Sequence, residues 1–302
     1  MNTQANAGFQ PMAADAPVRE TRPLYWSVRR ELWENRWVYL APLSAAALVV
    51  AGHGISVAWL PHRLRAIASG DAMKVHETLT SHYEFASGLI MATVMVVGIF
   101  YSLEALYGER KDRSILFWKS LPVSDRTTVL AKAFIPIVGL QLFAFAVIAV
   151  TLSAMFVASS VAVAGSGMSV AELWTQVSLM AMIGNMLYHL VTVHALWHAP
   201  IYAWFLLVSA WARRVPLLWA TLPLVAIGVV EKFVLNSAHF ANFVMYRLSG
   251  PENFSFDTNG LDPMMGMGAG KFFGAPGLWL GLAVAGLFLW AAMRVRRWRE
   301  PM

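Results

Sequence analysis

Six stretches of this chain carry no Asp, Glu, Lys or Arg: residues 37–62, 85–103, 133–171, 173–212, 215–230 and 272–293. Crossing the hydrocarbon core of a bilayer takes about 20 apolar residues, and a chain in lipid must satisfy its backbone polar groups internally. Apolar runs of about this length, repeated six times, predict a bundle of membrane-spanning helices. Composition agrees: the sequence is 58% hydrophobic and 13% charged, with a mean hydropathy of +0.55. A soluble domain holds about 25% charged residues. We therefore expect an all-α polytopic integral membrane protein with six transmembrane helices, near residues 38–58, 86–107, 133–157, 190–211, 216–235 and 276–293.

Lys and Arg on short loops orient such a bundle. With the N-terminus inside, seventeen of the 23 basic residues fall on the cytoplasmic side, in clusters around Arg30, Arg110, Lys132, Arg213 and Arg296. Six fall outside: Arg63, Arg65, Lys74, Lys232, Arg247 and Lys271. This asymmetry predicts that both termini are cytoplasmic. The net charge of +6 is mostly this sidedness signal. No soluble basic domain exists to carry a nucleic-acid footprint, so nucleic acid is not expected as a partner. The absence of cysteine excludes disulfides and thiolate metal sites, and does not identify the compartment.

Residues 1–22 are polar and lack the apolar core of a cleavable signal peptide. We expect a disordered cytoplasmic tail, with the first span acting as its own insertion signal. Residues 23–36 read as an interfacial helix. Leu24, Val28 and Leu32 recur at four-residue spacing and share a face, with Arg29, Arg30, Glu34 and Arg36 on the other side. Trp26, Trp33 and Trp37 suit the headgroup layer. A membrane anchor and a docking element both fit this pattern. From residue 37 to 300 we expect a single transmembrane domain, with outer connections at 59–85 and 236–275 and no separate soluble domain. Any energy-coupling enzyme must then be another chain. The charge-free run 173–212 is too long for one span and short for two at 1.5 Å per residue. It predicts an outer helix near 172–186, then a span from about 190 bent near Pro200. The fifth span ends at Glu231-Lys232, where a lysine can snorkel to the interface.

The cytoplasmic loop 108–132 is neither short nor purely polar. Ile115, Leu116, Phe117 and Trp118 stand in a row, flanked by Arg110, Lys111, Arg113 and Lys119. Such a surface can be gripped by a soluble partner. Asp112 to Lys119 predicts about two helical turns, and Leu121-Pro122 stops them. Ser124 can cap the next helix, with Asp125 favourable in its first turn. Residues 126–132 would carry that helix into span three. The loop is thus a helix–break–helix lever joined to two spans.

On these residues the chain resembles the permease subunits of type-2 ATP-binding-cassette (ABC) exporters. The resemblance covers most of residues 24–300. It rests on Glu-Leu-Trp-Glu-Asn at 31–35 and on Glu-Arg-Lys-Asp-Arg-Ser-Ile-Leu-Phe-Trp-Lys-Ser-Leu-Pro-Val-Ser-Asp at 109–125. It rests also on Leu-Trp-His-Ala-Pro-Ile-Tyr-Ala-Trp at 196–204 and Ser-Ala-Trp-Ala-Arg-Arg at 209–214. The resemblance implies a cytoplasmic elbow helix over 23–36, including Arg29, Arg30, Glu31, Trp33 and Glu34. It implies ATPase coupling through Glu109, Arg110, Lys111, Asp112, Arg113, Ser114, Ile115, Leu116, Phe117, Trp118 and Lys119; the plainer alternative is that Phe117 and Trp118 lie on the lipid surface. It further implies two copies of a cytoplasmic ABC ATPase that hold ATP and Mg, and a second permease chain, identical or paralogous. The chain itself would hold no cofactor and would not be an enzyme. The location implied is a bacterial inner membrane.

Other features are weaker. Gly266-Met-Gly-Ala-Gly-Lys271 mimics a phosphate loop but has Met265 where the first Gly belongs and Phe272 where Ser or Thr belongs. His194 and His198 share a helix face near His189, and with Asn185 they could line a cavity, pack between helices or bind a metal. A metal site usually needs a third ligand. Met264, Met265 and Met267 with Asp262 and His239 fit a mobile loop better than a soft-metal site. Gly277 and Gly281 form a Gly-x-x-x-Gly pair suited to close helix packing. Glu104 reads as a partner for Arg110 or a neighbouring helix, and Glu231 as a partner for Lys232 or Arg247, or as a group that reaches the outer interface. Rival functions are an ATPase-independent secondary transporter or channel, an intramembrane histidine–metal enzyme, and a membrane subunit that regulates another complex. The spans carry almost no charged ion-binding groups, which counts against the first.

Overall fold

A computed structural model describes residues 22–67, 72–120, 123–167, 169–250 and 269–298, and all its regular elements are helical. Most of the polar tail, Leu121-Pro122 and the Met264–Met267 segment lie outside the described residues. Among the described residues six helices are long and apolar enough to cross a membrane: Trp37–Arg65, His76–Lys111, Asp125–Gly165, Leu179–Trp197, Pro216–Leu235 and Pro276–Trp298. The chain is an integral membrane protein. The helices run past the apolar cores on which the expected spans were centred, because polar flanking residues continue the same hydrogen-bond ladder.

In chain order the elements begin with α1 (Pro23–Glu34), α2 (Trp37–Ser56), α3 (Leu60–Ile67) and α4 (Ala72–Glu104). Pro23 sits in the first turn of α1, where its missing N–H costs nothing. The loop after α4 holds α5 (Tyr107–Lys111) and α6 (Ile115–Ser120), and α7 (Asp125–Phe134) follows. Ser124 caps α7, its hydroxyl accepting the Thr127 N–H at 3.1 Å. Past α7 the helix widens into a π-turn at Ile135–Gly139 and continues as α8 (Leu140–Gly165). Pro136 lies in that turn. It has no N–H and its ring crowds the preceding turn, a common origin of such bulges.

The fourth hydrophobic segment differs from expectation. Where an outer helix was expected, α9 (Val170–Gln176) is short, and the chain breaks at Val177-Ser178. The membrane helix starts there: α10 (Leu179–His189) runs unbroken into a π-helical stretch, Leu190–Trp197. The bend falls at His198, where α11 (Ala199–Trp211) begins with Pro200 in its first turn. Next come α12 (Pro216–Val230), a π-turn at Glu231–Leu235, α13 (His239–Ser249), α14 (Ala269–Gly274) and α15 (Pro276–Trp298).

The bundle packs α11 along α15, α2 against α4 and α8, and α1 across α7. Its main core joins Ile90 and Val94 of α4 with Leu140, Ile148 and Leu152 of α8. By contrast, α12 buries only Ala220 and exposes Leu218, Leu222 and Val225, as suits a helix surrounded by lipid.

One charge pairing differs from those read in the sequence. The Glu231 carboxylate binds neither Lys232 nor Arg247 in the contacts described. It accepts the Ser237 hydroxyl and the N–H groups of His239 and Phe240, capping the start of α13. Gly277 lies against Trp197 at the end of the fourth membrane helix, and Gly281 against α13. A side chain at Gly281 would collide with the Arg247 guanidinium of α13. Arg247 donates to the Gly277 carbonyl at 2.9 Å and stacks over Trp197 at 4.3 Å. Gly281→Ala should evict Arg247 and cost about 1 kcal/mol, the worth of a hydrogen bond. Gly277→Ala meets only ordinary contact and should be near neutral. Thermal unfolding of both variants, alone and with Arg247→Ala, checks this: the Gly281 effect should vanish in the Arg247→Ala background.

Candidate functional site

Four elements converge on a buried ionic cluster at the end of the bundle where the basic residues gather. Glu31 of α1 is 1% exposed and Lys132 of α7 is 2% exposed. Lys132 Nζ lies 2.8 Å from Glu31 Oε1 and 3.1 Å from Glu109 Oε1 of α5. Arg296, near the end of α15, pairs with the other Glu109 oxygen and reaches Asp125 of α7 at 3.1 Å. Arg30 of α1 lies 2.7 Å from Glu31 and 3.5 Å from Glu109. The Tyr101 hydroxyl of α4 donates to Glu31 Oε2 at 2.9 Å. Three carboxylates, from Glu31, Glu109 and Asp125, thus oppose three cations, from Arg30, Lys132 and Arg296.

That balance decides whether the cluster is tolerable. Burying a lone charge costs several kcal/mol, and a pair repays it only with good geometry. Desolvation pushes the Glu31 carboxyl up, but Lys132 and Arg30 outweigh it and hold the group below its ordinary value. The helix register of α1 explains how one short helix serves two surfaces. Ser27 and Glu31, four apart, face inward. Arg29 stays on the rim, stacked on Trp26 and Trp33 at 5.3 and 4.6 Å. Glu34 is exposed and 3.6 Å from Arg30.

The same cluster anchors the loop. Ser209 of α11 accepts the N–H groups of Leu106 and Tyr107 at 3.0 and 2.9 Å, filling the break between α4 and α5. Arg110 donates to the carbonyls of Ser209 and Ala212 at 2.9 and 2.6 Å. The chain then turns through Asp112–Ser114, with Arg113 at φ 58°, a left-handed conformation. This turn shortens the expected two-turn helix to α6. Ile115 is buried, while Leu116 and Phe117 are 58% and 60% exposed. Trp118 packs edge-on to Phe117 and lies beneath Arg30, whose guanidinium is 3.9 Å from the ring.

Of the residues read as one gripping surface, therefore, Glu109, Arg110 and Ile115 face inward and hold the loop in place. Lys111, Asp112, Arg113, Leu116, Phe117 and Lys119 are exposed, and Ser114 and Trp118 are half-buried. Glu104, expected near Arg110, is exposed and feels the charge of Lys111. The arrangement can transmit a displacement of α6 to α1, α7 and α15. Among the described residues it offers no metal site, since no three His, Cys, Asp or Glu side chains converge.

The histidines lie elsewhere. His194 and His198 are buried with ring centroids 5.3 Å apart, and His198 Nε2 is 3.1 Å from the Leu248 carbonyl. Asn185 is half-buried on α10, and His189 is buried against Tyr188. A second polar spot escaped the sequence reading. His53 of α2 lies 3.1 Å from the Ser159 hydroxyl of α8, which also accepts the Tyr83 hydroxyl. His53 and His82 border a groove of about 490 Å³ between α2 and α4. His53, a polar residue in the middle of the charge-free run 37–62, was the available signal.

Comparison with protein-family models, with curated proteins and with solved structures finds no match to this chain.

Lys132→Met leaves Glu31 and Glu109 without their shared cation and should destabilise the protein by about 3–5 kcal/mol. Adding Glu31→Gln should recover part of that loss, measured by unfolding in detergent. Acid should act on the same bond. Because the folded Glu31 carboxyl lies below its ordinary 4.5, its contribution is complete above that pH and is lost as pH falls through the folded value. The melting-temperature gap between wild type and Glu31→Gln, full above pH 4.5, should narrow as pH falls below it.

Proposed function

We propose that this chain is the membrane-spanning permease subunit of an ATP-driven exporter of the type-2 ABC kind, seated in a bacterial inner membrane with both termini cytoplasmic. One observation carries the reading. The loop α5–α6 presents an exposed apolar tip, Leu116 and Phe117, on a base whose charges are buried against α1, α7 and α15. A simple turn between two spans needs neither. An element that receives force from a soluble machine needs both: a tip that fits a groove, and a base that does not yield.

In this reading a separate ATPase, in two copies, binds ATP and Mg and closes on ATP. A second permease chain, identical or paralogous, completes the membrane part. Displacement of α6 passes through Glu109 to Lys132 at the start of span three and to Arg296 at the end of span six. Because α7 is continuous with α8 through the π-turn, the push becomes a tilt of span three. The π-turn at Pro136 and the bend at His198 are the places where the bundle can yield. The cargo crosses by alternating access, and this chain performs no bond chemistry.

The test is recovery of partners by the tagged full-length chain from its native membrane in gentle detergent, read by mass spectrometry. The wild type should bring a soluble ATPase. Leu116→Ala with Phe117→Ala should reduce that recovery roughly tenfold or more, since exposed apolar anchors dominate docking energy. Its melting temperature should stay at the wild-type value, because neither side chain is in the core. Recovery of this chain without any ATPase would contradict the proposal.

A further inference from the structure

Beside the ionic cluster lies a cleft of about 480 Å³ between α6–α7 and the end of α15. Lys119, Arg126, Arg294, Arg296 and Arg297 line it, and Asp125 is its one carboxylate. Asp125 is already engaged by Arg296 at 3.1 Å, and Arg296 also pairs with Glu109. The remaining arginines are different. Among the described residues Arg126, Arg294 and Arg297 have no carboxylate within ion-pair distance. Arg294 stacks over Trp290 at 5.1 Å and Arg297 over Trp298 at 5.7 Å. Ring stacking holds a guanidinium in place without neutralising it.

The position of the cleft says which anion fits. The charge-free run of α15 ends at Met293, and Arg294, Arg296 and Arg297 follow at once. The cleft thus opens at the depth where hydrocarbon gives way to headgroups, and Trp290 and Met293 give it an apolar wall on the bilayer side. Guanidinium forks match phosphate oxygens in pairs. The volume falls in the range of small-ligand sites. We infer that this cleft binds the phosphate headgroup of an anionic phospholipid, held by Arg126 and Arg294 with its acyl chains along Trp290 and Met293. A lipid bound there would lie against Trp118 and Lys119 at the root of α6. The inference does not depend on the transport reading, since it needs only a membrane and the arginines.

Native mass spectrometry of the full-length chain, titrated with phosphatidylglycerol, phosphatidylcholine or inorganic phosphate, tests it. Phosphatidylglycerol should form one saturable adduct that phosphatidylcholine does not. Arg126→Gln with Arg294→Gln should weaken that adduct about 25-fold, at roughly fivefold per basic residue near an anionic surface. Inorganic phosphate should fail to displace it. Displacement by millimolar phosphate, with no gain from the acyl chains, would assign the cleft to a free anion and overturn the lipid proposal. Equal adducts for both lipids, or a phosphatidylglycerol adduct unchanged in the double variant, would overturn it as well. The variants remove solvent-exposed charges, so an unaltered melting temperature distinguishes a lost site from a lost fold.

Discussion

The contact between Lys132 and the two carboxylates of Glu31 and Glu109 is the constraint on which the basic end of this protein depends. Each of these groups is too deeply buried to be satisfied by water, so each must find the others. The positions of α1, α5 and α7 are thereby fixed relative to one another, and Arg296 adds α15. Apolar packing alone would not select this arrangement. In lipid, helices gain little hydrophobic energy from meeting, and packing and polar ties decide who meets whom. The cluster specifies which elements share an end of the bundle, and its neutrality makes that specification affordable.

Where the base is rigid, the rest of the bundle is interrupted. Proline and polar side chains supply the interruptions: Pro136 in the third span, His198 and Pro200 just past the fourth, and the Ser209 hydroxyl that holds the break at Leu106-Tyr107. In the proposed coupling, a push on α6 would meet the ionic cluster first and the interrupted helices afterwards, the order a lever requires. The neighbouring arginine cleft opens beside the same root.

Much of the fold was legible from residues alone. Six helices follow from where charge is missing, and the Ser124 cap follows from a hydroxyl placed before Asp125 and an apolar run. The start of the fourth span was misread, because continuous apolar character hides the break at Ser178. The Gly277/Gly281 pair signalled close approach correctly but not its partner, since nothing in the sequence says that Arg247 arrives from α13. The central cluster was the least legible. Glu31 and Lys132 are 101 residues apart, and each looks in sequence like an ordinary interfacial charge. Charges that flank apolar runs can point to headgroups or to each other. Only the packing of α1 across α7 selects the second.

Backbone amide hydrogen exchange in the Lys132→Met protein tests this account most directly. If one cluster holds the base together, α1, residues 107–120 and the last two turns of α15 should lose protection together, while α2 and α8 keep theirs. Loss of protection confined to α7, with α1 and the loop unchanged, would contradict the claim that these elements move as one unit.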